Sequence, residues 1–357
     1  MAGTKPASLV FRTLLVVLFV VGLVACETIG YYGQAARGQL SILWNRERIS
    51  ELLADESLPA DLRHKLATVL EIREFATEEL LLPAGDSYLS YVELDRQHVV
   101  WNVFAAPEFS VEPVSWCYPV AGCVSYRGYF TEAGALGFAE RLQKQGYDVY
   151  TGGVDAYSTL GWFDDPVLST VINRQDYQLA SLIFHELAHQ LVYVPGDTTF
   201  NESFATAVEQ EGLRRWLEQQ GDRDSLERAR RETNRRQQFV ALVIDYRDRF
   251  DDLYQLELTE IEKRAQKTAL QEDMRSAYEE LKRSWGDVGA YDRWFENSLN
   301  NAQLSTVSSY NELVPAFTML LQAETGELQS FYDRVAELAE LDTEERERQL
   351  QVSDNGS

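Results

Sequence analysis

The stretch "LASLIFHELAHQLVYVPGDTTFNESFA", residues 179–205, carries two of the four histidines in the chain. His185 and His189 are four residues apart in an apolar segment, so a helix there places both imidazoles on one face. His-Glu-x-x-His on such a helix is a zinc-binding pattern, in which Glu186 lies beside the open coordination position as a general base. The stretch therefore predicts a buried metal site with its base in a single helical turn.

A catalytic zinc ion needs a third protein ligand and one open position. Metzincins place a histidine six residues after the second one, where this chain has Pro195. The two remaining histidines, His64 and His98, lie far upstream with no motif around them. We therefore expect a carboxylate as the third ligand.

A second helix is predicted to begin near Asn201, after a Pro-Gly-Asp turn at residues 195–197. The turn directs this helix back against the first one, so that Glu202 faces the histidines. Glu209, two turns along the same face, is expected to accept the outward N–H of a ligating histidine. Glu209 or Glu211 as the ligand is the alternative, and Glu202 is preferred because the helix start fixes its position.

The composition limits the class of protein. The chain has 357 residues, 45% of them hydrophobic, and a formal net charge of −24. A chain of this length and apolar content can bury a substantial core. Its acidic surface repels phosphate backbones and anionic lipid headgroups, and nucleic acid is therefore not expected as a partner.

The N-terminus is typical of an exported protein. Two cations precede an apolar run at residues 14–25, which is too short for a membrane span and suits a secretory signal. The run ends on Leu-Val-Ala-Cys, with Cys26 where bacterial lipoproteins are acylated. We expect a signal peptide over residues 1–25 and a periplasm-facing lipoprotein in the cell envelope, with Glu27 instead of Asp favouring the outer membrane. An ordinary cleaved signal with an incidental Cys26 is the alternative.

The other two cysteines form a candidate pair. Cys117 and Cys123 lie close together in "WCYPVAGC", and an exported compartment permits a disulfide. We expect them to be bonded. A metal role is the alternative, although no Cys-x-x-Cys spacing supports it.

Hydrophobic periodicity predicts an α+β fold that is predominantly helical. We expect residues 26–357 to form one domain: N-terminal helices over 26–87, a small sheet and the zinc-site helices over 88–215, and long charged helices over 216–357. Within the sheet, two strands are expected to meet near residues 152–153. The charged helices are either a solvated face or a surface for a protein partner.

The motifs resemble those of a known class of enzyme. His-Glu-Leu-Ala-His followed by Asn-Glu-x-Phe-Ala resembles the gluzincin metallopeptidases, although the gap between these motifs is shorter here. "WCYPVAGCVSYRGYF", "AYSTLGWFDDPVL", "IFHELAHQLVYVPGDTTFNESFA" and "YNELVPAF" together are similar to a bacterial family of zinc aminopeptidase lipoproteins. The similarity covers most of the mature chain and implies a gluzincin-like zinc peptidase core.

The resemblance also implies roles for the residues. One Zn²⁺ per chain would be held by His185, His189 and Glu202, while Glu186 moves the proton during hydrolysis of a peptide substrate. Tyr310 is the candidate donor to the oxyanion, with Tyr157 second. The backbone of residues 158–161 would pair with an extended peptide.

Two classes of function follow from the sequence. The first is a zinc metallopeptidase, most simply an aminopeptidase. The second is an envelope lipoprotein that binds a partner through its charged helices and has no hydrolytic activity. A scaffold has no need of an acid beside two imidazoles, so Glu186 favours the enzyme.

Overall fold

The computed structural model describes residues 30–118, 122–159, 162–311 and 313–354, without the side chains of 308–312 and 351–354. Helices predominate in these ranges and the strands are short, which confirms the predominantly helical α+β class. Across the same ranges, we find no helix with the length and apolar character needed to span a bilayer. The predicted signal peptide and Cys26 lie outside the described residues.

The N-terminal part is helical, as predicted. It consists of α1 (residues 30–44), β1 (Glu47–Arg48), α2 (Ile49–Ala54) and α3 (Ala60–Glu78). Pro59 is the residue before α3, where its fixed φ suits a helix start. One face of α3 is fully buried in the main hydrophobic core, through Leu66, Val69 and Ile72. This helix packs against the helix that carries His185 and His189.

Three small sheets precede the histidine helix in the described residues, where the sequence predicted one. The first has the order β1, β2 (Ser90–Val92), β8 (Val167–Leu168). The second is antiparallel, with β3 (Val100–Pro107) between β6 (Arg127–Tyr129) and β7 (Tyr147–Val154), and α4 (Glu132–Lys144) packs on it. A two-stranded hairpin joins β4 (Trp116–Tyr118) to β5 (Gly122–Val124).

The prediction of two strands meeting near Gly152 and Gly153 is wrong. β7 runs through both glycines without a break, because β3 pairs with it from Val100↔Val154 to Pro107↔Tyr147. Glycine weakens the interior of a strand, but a continuous partner strand provides the backbone hydrogen bonds that keep β7 extended through both glycines. β7 is consequently an edge strand, since no described strand pairs with its other side.

The helices of the histidine segment follow. They are α5 (Ser169–Ile172), α6 (Asp176–Leu191) and α7 (Thr198–Gln220). Helices α6 and α7 pack against each other, and the buried side chains between and around them include Phe184, Phe200 and Phe204. Burial of a large aromatic side chain contributes about 1.5–3 kcal/mol. The pairing of α6 with α7 is thus held by the core of the protein.

Among its described residues, the C-terminal part has helices joined by turns and no strand. It comprises α8 (Arg223–Gln255), α9 (Glu260–Ser284), α10 (Asp292–Phe295), α11 (Asn301–Asn311), α12 (Val314–Ala323), α13 (Leu328–Ala339) and α14 (Thr343–Asp354). Helices α8 and α9 form the expected long charged pair. Their singly spaced apolar residues build a second core that includes Phe239, Val243, Phe250, Met274 and Tyr278.

Candidate metal centre

Helix α6 fixes the two histidines on one face. The backbone N–H of Gln175 donates to the side chain of Gln178 at the start of the helix. The rings of His185 and His189 lie 4.9 Å apart between centroids and are nearly perpendicular, at 82°. The helix buries Ile183, Phe184 and Leu187 around them. Their positions therefore follow from the packing of the helix, as the four-residue spacing predicts.

The turn between α6 and α7 is closed by Asn201. This side chain is buried, accepts a hydrogen bond from the N–H of Val194 at 2.7 Å, and donates one to the carbonyl of Val194 at 2.8 Å. Asp197 caps α7 by accepting from the N–H of Phe200 at 2.9 Å. Helix α7 therefore begins at Thr198, ahead of the predicted start near Asn201. The prediction missed this cap, but Glu202 still lies in the first two turns.

The cysteine hairpin supports the same turn. Cys117 and Cys123 form a disulfide in the structure, and Gly122 lies against the turn. A Cβ at Gly122 would lie 2.6 Å from the backbone nitrogen of Gly196, and the φ of Gly122 is +73°. Only glycine permits this approach without displacing the turn. The disulfide hairpin and the metal-site turn are thus in direct contact.

The ligand atoms of three residues converge. Nε2 of His185 is 3.3 Å from Oε2 of Glu202, and Nε2 of His189 is 3.8 Å from Oε1 of the same carboxylate. One ligand atom from each residue lies within 4.8 Å of the other two. Zinc bonds of about 2.0–2.1 Å in a tetrahedron place ligand atoms roughly 3.3 Å apart. These three residues therefore fit a metal ion.

The outward nitrogens of the two histidines differ in their surroundings. Nδ1 of His185 lies 3.0 Å from Oε2 of Glu209, as the sequence predicts. Nδ1 of His189 is buried without a hydrogen-bond partner among the described residues. Glu211 forms ion pairs with Arg214 and Arg215, away from this cluster. The geometry favours Glu202 as the ligand, with Glu209 orienting His185 from its other side.

The surroundings of the cluster shift the pKa values of the two histidines in opposite directions. Burial alone lowers the pKa of His185, but hydrogen bonds and negative charge from Glu202 and Glu209 outweigh it and raise the pKa to about 10. Burial lowers the pKa of His189 to about 4. Without a metal ion, His185 is thus an imidazolium between two carboxylates, and His189 is neutral.

Glu186 is suited to proton transfer. Its side chain is buried, and burial raises its pKa to about 7. The positive charge of His185 lowers this pKa, whereas the negative charges of Glu202 and Asp165 raise it. A general base works best when its pKa is near the working pH. Glu186 therefore lies beside the metal ligands and has a pKa that suits a general base.

A cleft of about 1280 Å³ opens over the cluster. Its walls include residues 152–154 of β7, residues 156–158 after that strand, and residues 232, 233, 235 and 236 of α8. Drug-sized ligands occupy roughly 300–1,000 Å³. The cleft thus has room for several residues of a peptide.

The segment after β7 is held at the cleft by a buried acid. Asp165 accepts hydrogen bonds from the backbone N–H of Thr159 at 3.1 Å and from its hydroxyl at 2.7 Å. Ser158 lines the cleft, whereas residues 160–161 lie outside the described residues. Residues 155–159 are not a strand. The pairing of β3 with β7 starts at Val100 and Val154, so β3 provides no partner for the residues after Val154.

The structure tests one of the two predicted tyrosines, Tyr157, and leaves Tyr310 a prediction. The side chain of Tyr310 lies outside the described residues, although its backbone belongs to α11. Tyr157 lines the cleft, but its hydroxyl donates to the side chain of Gln39. Tyr157 is therefore engaged in holding α1 and is not directed at the metal ligands.

Two other tyrosines lie at the cluster and were missed in the sequence. Tyr126 and Tyr193 line the cleft, and burial together with the charge of Glu202 raises the pKa of each. A phenol that keeps its proton can donate a hydrogen bond to a developing oxyanion. Tyr193 lies just beyond the end of α6 at Leu191, so its closeness in sequence to His189, and not a helical spacing, is the signal that could have identified it. Tyr126 is brought here by the hairpin and has no such signal.

The geometry makes Asn201 a structural determinant of the site. We expect Asn201→Ala to lower the free energy of unfolding by about 1–3 kcal/mol, because both backbone groups of Val194 lose a buried partner. Metal affinity should also fall, since Glu202 is the next residue. Urea unfolding and metal titration measure both effects. Asn45→Ala, at an exposed position, should change stability by less than about 0.5 kcal/mol. Wild-type stability and affinity in Asn201→Ala would show that the turn holds without this side chain.

Comparison with known proteins places the chain in a family. No curated protein and no solved structure matches it. The model of the family described as "Putative aminopeptidase" matches residues 30–350, which include the whole cluster and the cleft around it. The match covers most of the sequence, and on that basis the chain belongs to this aminopeptidase family.

Proposed function

We propose that this protein is a zinc-dependent aminopeptidase. The observation that carries the proposal is the convergence of His185, His189 and Glu202 at the floor of a cleft, with buried Glu186 beside them. When bound there, Zn²⁺ would act as a Lewis acid toward a peptide carbonyl and would make water more acidic. The gluzincin-like character of the core belongs to the same proposal.

The protein's own residues supply the remaining chemistry. Glu186 accepts a proton from the attacking water and passes it to the leaving amine, which needs a carboxylate with a pKa near neutrality. Tyr126 or Tyr193 donates to the oxyanion. The edge strand β7, whose residues 152–154 line the cleft, offers backbone groups to an extended peptide.

The family match supports an aminopeptidase, because the cluster itself would serve an endopeptidase equally well. We expect the zinc-loaded protein to release N-terminal residues from unmodified peptides and to leave N-acetylated copies intact. Blocking the amine removes the charge by which an aminopeptidase aligns its substrate. Mass spectrometry of the products distinguishes the two. Internal cleavage of acetylated peptides would make the protein an endopeptidase, and failure to cleave any peptide would favour the scaffold.

Zinc binding should displace a proton. Because the pKa of His185 is raised to about 10 in the metal-free protein, its imidazole is protonated at neutral pH and must lose that proton to become a ligand. His189, with a pKa of about 4, has none to lose.

We therefore expect at least about one proton, that of His185, to be released per zinc ion between about pH 7.5 and pH 9, with any further release coming from zinc-bound water, and affinity rising as pH rises. The stability of the metal-free protein should show the opposite dependence and fall as pH rises. His185 stabilises it fully below its unfolded pKa of about 6.5, and this stability is lost as pH rises toward 10. Calorimetry in buffers of different ionisation enthalpy measures the proton. Zinc binding without proton release would mean that His185 is already neutral.

We further propose that the chain is exported and held at the bacterial envelope, most simply the outer membrane, by lipid on Cys26. The apolar run that ends on this cysteine supports the proposal. Mass spectrometry of the N-terminal peptide from envelope-extracted protein should find Cys26 diacylated. A peptide that begins elsewhere, without lipid, would contradict the anchor.

A further inference from the structure

Helix α1 carries an apolar stripe on its outward face. Tyr32, Leu40 and Trp44 are separated by multiples of four residues, so they share one side of the helix. All three are exposed, and 80% of Trp44 is accessible to solvent. The opposite side is docked, with Ile42 buried and Gln34 hydrogen-bonded to the backbone of Phe130. Surface helices usually present polar residues outward, so this stripe is reversed.

A neighbouring loop extends the same surface. Trp162 and Phe163 are exposed, with 68% of Trp162 accessible. A guanidinium nitrogen of Arg46, two residues after Trp44, donates to the carbonyl of Asp164 at 3.0 Å. This bond brings the end of α1 beside the loop. We call the surface formed by these five side chains the aromatic face: Tyr32, Leu40, Trp44, Trp162 and Phe163.

The charge of α1 itself is opposite to that of the chain, although the exposed acids Glu47 and Asp164 lie beside its C-terminal end. The protein has 57 acidic residues and a net charge of −24, yet residues 30–46 contain none of them. The charged residues in that stretch are Arg37 and Arg46, and both are exposed. The negative charge of most of this protein repels a surface that carries anionic groups, whereas α1 has no acidic residue to repel it.

We infer that the aromatic face lies against a phospholipid surface that contains anionic headgroups. Tryptophan and tyrosine favour the boundary between headgroups and acyl chains, because each has an apolar body and a polar tip. An interfacial helix combines such an apolar stripe with arginines beside it. The chain outside the structure, residues 1–29, contains the apolar run and Cys26 and ends where α1 begins. The inference rests on the proposed envelope location and is independent of the peptidase activity.

Fluorescence quenching by lipids tests this contact. The full protein, purified from envelopes, is reconstituted into vesicles of phosphatidylethanolamine and phosphatidylglycerol with brominated acyl chains, which quench nearby tryptophans. The chain has seven tryptophans. We expect Trp44→Phe together with Trp162→Phe to lose most of the lipid-dependent quenching. Trp285→Phe is the matched control and should keep it, since Trp285 is half-buried on the second core and donates to Gln238.

Each other outcome overturns the inference. Quenching that is unchanged by the Trp44 and Trp162 substitutions would mean that the aromatic face does not meet lipid. A second copy of the chain is the competing occupant, and sedimentation in detergent detects it. A wild-type dimer that Trp44→Glu converts to a monomer, while the equally exposed Ile261→Glu does not, would assign the face to self-association.

Discussion

Glu186→Gln is expected to lower kcat/KM for peptide hydrolysis by about 10²–10⁴-fold while the protein retains one zinc ion per chain. The amide has nearly the same shape as the carboxylate but accepts no proton at neutral pH. None of the three metal ligands is changed. Metal analysis of the purified variant and kinetics on an unblocked peptide measure the two properties separately.

The separation of metal content from activity is what makes this variant informative. Glu186 is buried and its pKa is raised to about 7, so replacing it by a neutral side chain should leave stability nearly unchanged or slightly higher. Loss of activity then reports on chemistry and not on folding. A variant that keeps zinc and hydrolyses peptides within a few-fold of wild type would remove Glu186 from the mechanism.

The same assay distinguishes the two tyrosines at the cluster. Phenylalanine at the true oxyanion donor should lower kcat by about 10²–10³-fold, with zinc retained. The substitution at the other tyrosine should have a small effect. Equal, small effects of Tyr126→Phe and Tyr193→Phe would direct attention to Tyr310, whose backbone lies on α11.

Glu202→Gln is expected to weaken zinc binding by more than about 100-fold, beyond the range of 10–100-fold typical for a residue that orients a ligand. The carboxylate of Glu202 is the group that both Nε2 atoms approach. An amide supplies a weaker ligand and no negative charge beside two imidazoles. Competition with a chromophoric chelator measures the affinity, and hydrolysis should fall with it.

Two neighbouring glutamates provide matched controls. Glu209→Gln should weaken zinc binding by about 10–100-fold, because Glu209 contacts the outward nitrogen of His185. Glu211→Gln should leave affinity unchanged, since Glu211 pairs with Arg214 and Arg215. A larger loss in Glu209→Gln than in Glu202→Gln would exchange their roles.

The metal cluster was predictable because short-range rules place its parts. Two histidines four residues apart share a helical face whatever surrounds them. A Pro-Gly-Asp turn followed by Asn-Glu directs a second helix back. Only the start of α7 was misplaced, because the cap by Asp197 is as consistent with the sequence as a start at Asn201.

Features that depend on distant packing were not predictable. Tyr126 reaches the cluster through the disulfide hairpin, which in turn contacts the α6–α7 turn at Gly196. β7 continues through two glycines because β3 lies beside it. The charged helices α8 and α9 appeared solvated in sequence, yet they bury a second core along one side. The first two outcomes are set by a partner far away in the chain, and the third by the packing of two neighbouring helices against each other.

We propose that His185, His189 and Glu202 together bind one metal ion. The most direct test is anomalous diffraction at the zinc edge, from crystals of protein loaded with one equivalent of zinc. We predict a single strong peak between Nε2 of His185, Nε2 of His189 and the carboxylate of Glu202. Zinc found at other residues, with these three side chains bare at full loading, would contradict the account.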